Sequence, residues 1–251
     1  MPERAKFDGL ADDYDKHRPR YPADLAEVAF DGLREGARLV DVGSGSGIGL
    51  EWALPTLTAP DVVAIEPSGD MIEAGRRKFP MVTWLQGRGE DHLPALADVD
   101  VVMAAQAYQW FDRPAFLHAA QGALRPGGRV VIIQNNRNHA ASAFLDAYEG
   151  LLEAHSPGYT RDYRTIDIAG ELASGLDIAL PDVVTTVSDW ERTMTVDDFV
   201  GMSASSTQAQ RAVAAQGPSF LADVRTLAYD CSVDGIVAVP YRTELFAAAR
   251  R

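Results

Sequence analysis

Between Leu39 and Asn135 the chain alternates short, almost continuous apolar runs with stretches of helical periodicity. That is the pattern of βαβ units, in which each strand is buried on both faces of a parallel sheet. Residues 38–42 and 61–66 read as buried strands, and residues 81–86, 100–104 and 129–133 as three more. Between them a short helix is expected around residues 50–54. A second helix starts with Ser68 as N-cap and is stopped by Pro80. A third has Pro114 in its first turn and runs to Leu124, with Arg125-Pro126-Gly127-Gly128 as its stop. The second half is less regular. Residues 140–154 look helical, residues 156–167 mix Pro, Gly, Tyr and Arg without period, and strands return at 183–194 and 236–248 around helices from 196 to 227.

Composition narrows the class. In 251 residues, 47% are hydrophobic and 24% charged, a globular mix long enough to bury a substantial core. No internal repeat, low-complexity tract or linker-like stretch divides the sequence, so one domain over residues 1–251 is the simpler expectation. Lys and Arg number 23 against 36 Asp and Glu, a formal charge of −13 that repels a polyanion and argues against nucleic acid as partner. The densest basic cluster, Arg76-Arg77-Lys78, reads as a solvated helix face. Cys231 is the only cysteine, which excludes an intrachain disulfide or a thiolate metal site within one chain and suits a reducing, cytoplasmic setting. The N-terminus opens without a long apolar run, and about 18 consecutive apolar residues occur nowhere, so neither secretion nor membrane spanning is expected. The histidines at 17, 92, 118, 139 and 155 have no metal-ligand spacing, and no metal is expected. Monomer and homodimer remain equally open.

The most informative segment is Asp41-Val42-Gly43-Ser44-Gly45-Ser46-Gly47, where a buried strand turns into a helix. Glycines there allow a ligand close to the backbone at the carboxyl edge of the sheet. Such a turn serves several cofactors. The dinucleotide pattern Gly-x-Gly-x-x-Gly fails in both registers, since Ile48 and Leu50 stand where its third glycine belongs, and no Gly-Lys-Ser or Gly-Lys-Thr follows for a phosphate loop. Asp41 would repel a pyrophosphate but suits a cationic amino group. The second strand ends in Glu66, 21 positions after Gly45, where a carboxylate can accept both ribose hydroxyls of an adenosine.

Acid, glycine turn and acid in this order resemble the class I S-adenosylmethionine-dependent methyltransferases, in particular the small-molecule group that includes trans-aconitate methyltransferase-like proteins. Residues 39–47 are similar to that family's glycine-rich first motif, and Ile65-Glu66-Pro67-Ser68 with Met71 to its second. Gly87-Arg88-Gly89-Glu90 before Leu93-Pro94 is similar to the adenine-flanking third, residues 100–111 to the fourth-strand motif ending in Trp110-Phe111, and residues 124–128 to the turn before the fifth strand. The resemblance spans about residues 7–135. It implies a Rossmann-like doubly wound, mostly parallel seven-stranded sheet with one antiparallel strand near the carboxyl terminus. It also implies a cofactor-covering segment at about 1–35 and a substrate-side insertion at about 138–180.

In the resemblance, Asp41 and the backbone of Gly43, Ser44, Gly45 and Gly47 hold the methionine part of S-adenosylmethionine, and Glu66 with Pro67 the ribose. Met71, Arg88, Gly89 and Glu90 flank the adenine, Gln106 lies near the reacting methyl, Arg18 pairs with the methionine carboxylate, and Tyr14 and Tyr21 close the pocket. Many relatives have a histidine where this chain has Gln109. Candidates for a catalytic role are therefore Gln109, His17, His139 and Tyr14. Trp110, Arg137, Tyr159 and Tyr163, with Arg161 and Arg164, are candidates for contact with a small acceptor that is anionic or aromatic. The expected reaction is methyl transfer to oxygen or nitrogen, driven by proximity and orientation. A cofactor-binding module without transferase activity and a nicotinamide-dependent oxidoreductase are the competing readings.

Overall fold

The computed structural model describes Asp15, residues 18–162 and residues 165–251. Tyr14, His17, Tyr163 and Arg164 lie outside the described residues.

The apolar runs assemble into one seven-stranded sheet in the order β3-β2-β1-β4-β5-β7-β6. Strands β1 (Arg38–Val42), β2 (Asp61–Glu66), β3 (Thr83–Gln86), β4 (Val99–Ala105) and β5 (Leu124–Arg137) are paired in parallel. β7 (Ile236–Ala249) runs antiparallel to both β5 and β6 (Val184–Thr195). This is the doubly wound, Rossmann-like sheet that the sequence predicts, with its single antiparallel strand near the carboxyl terminus.

Successive side chains on a strand point to opposite faces, and the two faces are covered by different helices. Leu39, Val101, Val131 and Ile133 pack against α1 (Asp24–Phe30), α2 (Ile48–Ala53) and α3 (Gly69–Lys78). Val40, Val102, Val130 and Ile132 pack on the other side, where α5 (Arg113–Ala123) and α7 (Ile168–Gly175) lie, with the four-residue α4 (Gly89–His92) at that face's edge. A third cluster caps the carboxyl end of β5. There α6 (Ala143–His155), α8 (Val196–Ala204), α9 (Thr207–Gln216) and α10 (Ser219–Asp230) bury Leu145, Tyr148, Phe199, Phe220 and Val224 against Val237 and Val239 of β7.

Several boundaries differ from the sequence reading. β3 starts at Thr83 rather than at 81, because Met81 stands 92% exposed in the turn after α3. The helix expected to end at Leu124 ends at Ala123; Leu124 already pairs with Val99, and a register shift between Val99 and Val101 admits Pro126 and its glycines into the start of β5. At its other end β5 continues past Ile133 to Arg137, because β7 alone goes on pairing with it, as far as Tyr241. The helix expected from residue 140 begins at Ala143, where the Ser142 hydroxyl accepts the Leu145 N–H at 3.3 Å. The stretch at 138–180 is therefore not uniformly irregular, since it contains both α6 and α7.

Asp100 ties the opposite end of the sheet together. It is fully buried, and its carboxylate accepts from Arg34 Nε (3.1 Å) and Arg34 Nη2 (3.0 Å), the Arg38 N–H (2.8 Å) and Arg125 Nε (2.5 Å). Burial by itself would raise its pKa; Arg34, the Arg38 amide and Arg125 outweigh burial and hold it at about 2. A carboxyl group depressed on folding contributes stability above its unfolded pKa, and loses that contribution as pH falls through the folded value. Asp100→Asn is therefore expected to cost about 2 kcal/mol at pH 7. Urea denaturation of both proteins should show the difference shrinking between pH 4 and pH 2; a difference independent of pH would contradict the assignment.

Candidate active site

The first turn of the site is built by glycine. Gly43, Gly45 and Gly47 have φ of 69°, 54° and 89°, a left-handed backbone that side chains with a Cβ rarely adopt. A Cβ on Gly43 would lie 2.6 Å from that of Ala107, whereas one on Gly45 would meet nothing within 4 Å. The backbone is thus packed from below at Gly43 and open above at Gly45. The opening is a cavity of about 510 Å³ at the carboxyl ends of β1, β2 and β4, where the strand order reverses and open α/β sheets bind ligands.

Two acids flank the turn. Glu66, at the end of β2 and on the cavity wall, accepts the Ser68 N–H through Oε1 and the Gly45 N–H through Oε2, both at 2.9 Å. Burial raises its pKa while these two amides act against the rise. Asp41 is wholly buried, and among the described residues neither of its carboxylate oxygens has a hydrogen-bond partner. Burial, and then the neighbouring Glu66, push its pKa up to about 8. It stands behind the wall rather than on it: a Cβ on Gly49, which does line the cavity, would lie 3.3 Å from Asp41 Oδ2. An unpaired buried acid costs free energy unless it stays protonated or meets a cation.

The other expected cofactor residues converge on the same space. Ser44, Pro67, Met71, Arg88, Gly89, Glu90 and Gln106 line the cavity, whereas Gly47 does not. Ser44 Oγ donates to the Asp41 carbonyl at 2.8 Å, and Arg88 pairs with Glu90 at 3.1 Å. Gln106 has φ of 57°, an uncommon conformation for a residue other than glycine. It is held there because its N–H donates to the Ile133 carbonyl (2.8 Å) and its Oε1 accepts the Asn135 N–H (2.6 Å).

Arg18, Pro19 and Tyr21 line the cavity from the segment before α1. Ion pairs fasten this segment to the glycine turn and its helices. Asp15 accepts from Ser46 Oγ (3.0 Å) and Lys78 Nζ (2.7 Å), while Glu51 pairs with Arg20 (2.7 Å) and Lys78 (2.9 Å). The Trp52 indole N–H adds a bond to the Pro22 carbonyl at 2.8 Å. Lys78, read from sequence as part of a solvated basic face, is thus occupied in this clasp.

Beyond Gln106 the cavity continues under the helical cap. Trp110, Arg137, Tyr159 and Arg161 line this half, joined by Asn135, Asn136, Glu149, Tyr241 and Glu244, which sequence reasoning missed, while Phe111 of the aromatic pair lies against Gly43. Arg137 is ion-paired with Glu149 at 2.8 Å and lies over the Tyr148 ring, 5.1 Å from its centroid. Burial works against the Arg137 charge, but Glu149 outweighs it and raises the guanidinium pKa further. The Tyr159 hydroxyl donates to the same Glu149. One signal for Glu149 was available: it completes the buried helical stripe Leu145, Tyr148, Leu152, and an acid there requires a partner.

Of the catalytic candidates, His139 lines the cavity. Gln109 does not, its side-chain amide being turned back to the Gln106 carbonyl at 3.1 Å; His17 and Tyr14 lie outside the described residues. Among the described residues no group of three or more His, Cys, Asp or Glu could hold a metal ion, and no helix is long and apolar enough to cross a membrane.

Residues 40–132 match the family model of the methyltransferase domain. An uncharacterized methyltransferase of Mycobacterium tuberculosis is 33% identical over 130 residues, 50% of each chain. Trans-aconitate 2-methyltransferase of Azoarcus is 34% identical over 116 residues, 46% of this chain and 44% of that one. The chain thus spans about half the length of the curated relatives it matches. Among solved structures, a protein of Anaeromyxobacter dehalogenans assigned to the type II methyltransferases is alike in fold at a TM-score of 0.69 and 22% identity, over 92% of this chain and 97% of that one. The glycine turn between two acids, the sheet order and these likenesses agree: residues 40–132 are similar to a methyltransferase domain, on a sheet of the fold shared with solved methyltransferases.

Proposed function

We propose that this chain transfers a methyl group from S-adenosylmethionine to an oxygen or nitrogen of a small organic molecule. The observation that carries the reading is the cavity itself. A glycine turn between Glu66 and the buried Asp41 occupies one half, and a second half with aromatic walls is continuous with it. The residues suit this cofactor. Glu66 retains acceptor capacity for a ribose diol, the open backbone at Gly45 admits close approach, and Asp41 is a buried acid that a cationic amino group would draw into its charged form. When bound, S-adenosylmethionine supplies a methyl group on a positively charged sulfur. The protein's own contribution is alignment: the clasp through Asp15 and Lys78 holds the cover down, the strained Gln106 fixes the junction of the two halves, and closure excludes water. His139, which lines the cavity, would take a proton from an acceptor that arrives protonated. No general acid is required.

The Azoarcus relative is a trans-aconitate 2-methyltransferase, and a Haemonchus contortus N-methyltransferase solved with S-adenosylhomocysteine is alike in fold at a TM-score of 0.55 and 16% identity, over 98% of this chain and 59% of that one. Both leave oxygen and nitrogen open for this chain. The test is incubation with methyl-labelled S-adenosylmethionine and a broad acceptor library, followed by mass spectrometry. Labelled product supports transfer; tight cofactor binding with no product across the library supports the competing reading, a binding module without catalysis.

Asp41 allows a sharper prediction. With a pKa near 8 it is mostly protonated at pH 7 in the free protein, and an ammonium group bound at the cavity wall in front of Gly49 favours the ionised form. Binding of S-adenosylhomocysteine at pH 7 should therefore release a large fraction of one proton, read as a dependence of the calorimetric enthalpy on the ionisation enthalpy of the buffer. Asp41→Asn should abolish the dependence. The same release in the variant would show that the proton comes from elsewhere.

A further inference from the structure

The acceptor half of the cavity has cations on its wall, and the sequence alone makes them candidates for receiving an anion. The structure gives two of them, Arg137 and Arg161, other work, while Arg18 is near enough to Tyr241 to act on its hydroxyl. Arg137 is satisfied by Glu149, which is itself 3% exposed and also accepts from Tyr159. Arg161 directs Nε (3.1 Å) and Nη2 (2.8 Å) to Glu153 and Nη1 to Asp146 (2.5 Å). A carboxylate ligand would have to break these pairs, leaving Glu149 or Glu153 to face it.

Carboxylates on the same wall are not consumed in this way. Glu244, on the part of β7 that pairs with the free end of β5, accepts from the side-chain amides of Gln134 and Asn136, both at 3.1 Å and both on Oε2. Amide donors orient a carboxylate without cancelling its charge. Asp162 lines the same space. Trp110, Tyr159 and Tyr241 add ring surface, and aromatic faces attract a cation.

Resting on the methyltransferase reading, we propose that the acceptor is a small amine with an aromatic body, methylated on nitrogen, and not a carboxylic acid. The charge balance of the transfer favours this. The bound ammonium first gives a proton to His139 or to water, which frees the nitrogen lone pair; that pair forms the new N–C bond while the methyl–sulfur bonding pair returns to sulfur. Positive charge therefore moves from sulfur to nitrogen. The charge is delivered into the half that holds Glu244 and Asp162, where it is stabilised. A carboxylate acceptor would instead bring its own negative charge into that field before any is neutralised.

The test uses the whole protein saturated with S-adenosylhomocysteine, titrated with two probes of matched shape, 2-phenylethylamine and phenylacetate. The amine is expected to bind at least ten-fold more tightly, and Glu244→Gln, which keeps an oxygen for the two amide donors, should lower amine affinity several-fold while leaving S-adenosylhomocysteine affinity unchanged. Equal binding of the two probes, preference for phenylacetate, no binding of the amine, or an amine affinity indifferent to Glu244→Gln each overturns the proposal. Failure of S-adenosylhomocysteine to bind in the same calorimeter would instead be the failure of the methyltransferase reading, so the two are separable.

Discussion

Glu66→Ala is expected to lower affinity for S-adenosylhomocysteine by on the order of 100-fold while the protein still folds. In the proposed complex the carboxylate receives the ribose hydroxyls, and hydrogen bonds to a charged group contribute about 1.5–3 kcal/mol each. It also organises the turn, since the Gly45 and Ser68 N–H groups both donate to it and would lose their partner. Glu66→Gln separates these roles. The amide has one acceptor oxygen where the carboxylate has two, so it can serve one of the two backbone donors at most, and its affinity should fall between those of wild type and the alanine variant. Calorimetry reads the affinities and thermal unfolding reads the fold. Equal affinity in all three proteins would remove Glu66 from the site.

The largest effect on stability is expected at Glu149. Removing one member of a buried ion pair leaves the other uncompensated, at a cost of about 3–5 kcal/mol, whereas replacing both members with apolar side chains is often neutral. Glu149→Ala leaves Arg137 buried among Tyr148, Tyr159 and Tyr241 without the Glu149 carboxylate that balances its charge. A fall in melting temperature of about 10 °C follows for a chain of this size. The double variant Glu149→Leu, Arg137→Met should recover much of that loss while altering the acceptor half. Measured by thermal unfolding, equal destabilisation in single and double variants would mean that the pair is not the source of the effect.

The residues around Glu66 and those around Glu149 differ in how much of them could be read in the chain, for a physical reason. Strands such as β1 and β2 are covered on both faces, so they appear as unbroken apolar runs, and the acids at their ends stand out against them. Glu66 could thus be placed opposite the glycine turn from spacing alone. The same reading placed Asp41 beside the ligand, whereas the structure sets it one layer behind, at Gly49; sequence spacing gives the strand end but not the depth of a side chain. The family resemblance gave the number of strands and the single antiparallel one, but their order came only with the structure, because periodicity carries no information on which strands are neighbours. The acceptor half was the least legible part. Its walls come from β5, α6, α8 and β7, brought together by antiparallel pairing between residues such as Arg137 and Tyr241, far apart in the chain. The change from Val130–Ile133 to Gln134-Asn135-Asn136-Arg137 was visible as the end of an apolar run. That those polar residues continue the strand and project into a cavity was not, since only β7 extends the pairing there. Glu244 stayed hidden because in a strand of alternating burial a lone acid reads as a solvent-facing position.

The central claim is that this cavity is built for S-adenosylmethionine, and calorimetric titration of the purified protein tests it most directly. S-Adenosylmethionine and S-adenosylhomocysteine should each bind at one site per chain with micromolar affinity, and NADH should not bind. Binding of NADH without either sulfur ligand would contradict the claim and return the glycine turn to the nicotinamide-dependent oxidoreductases.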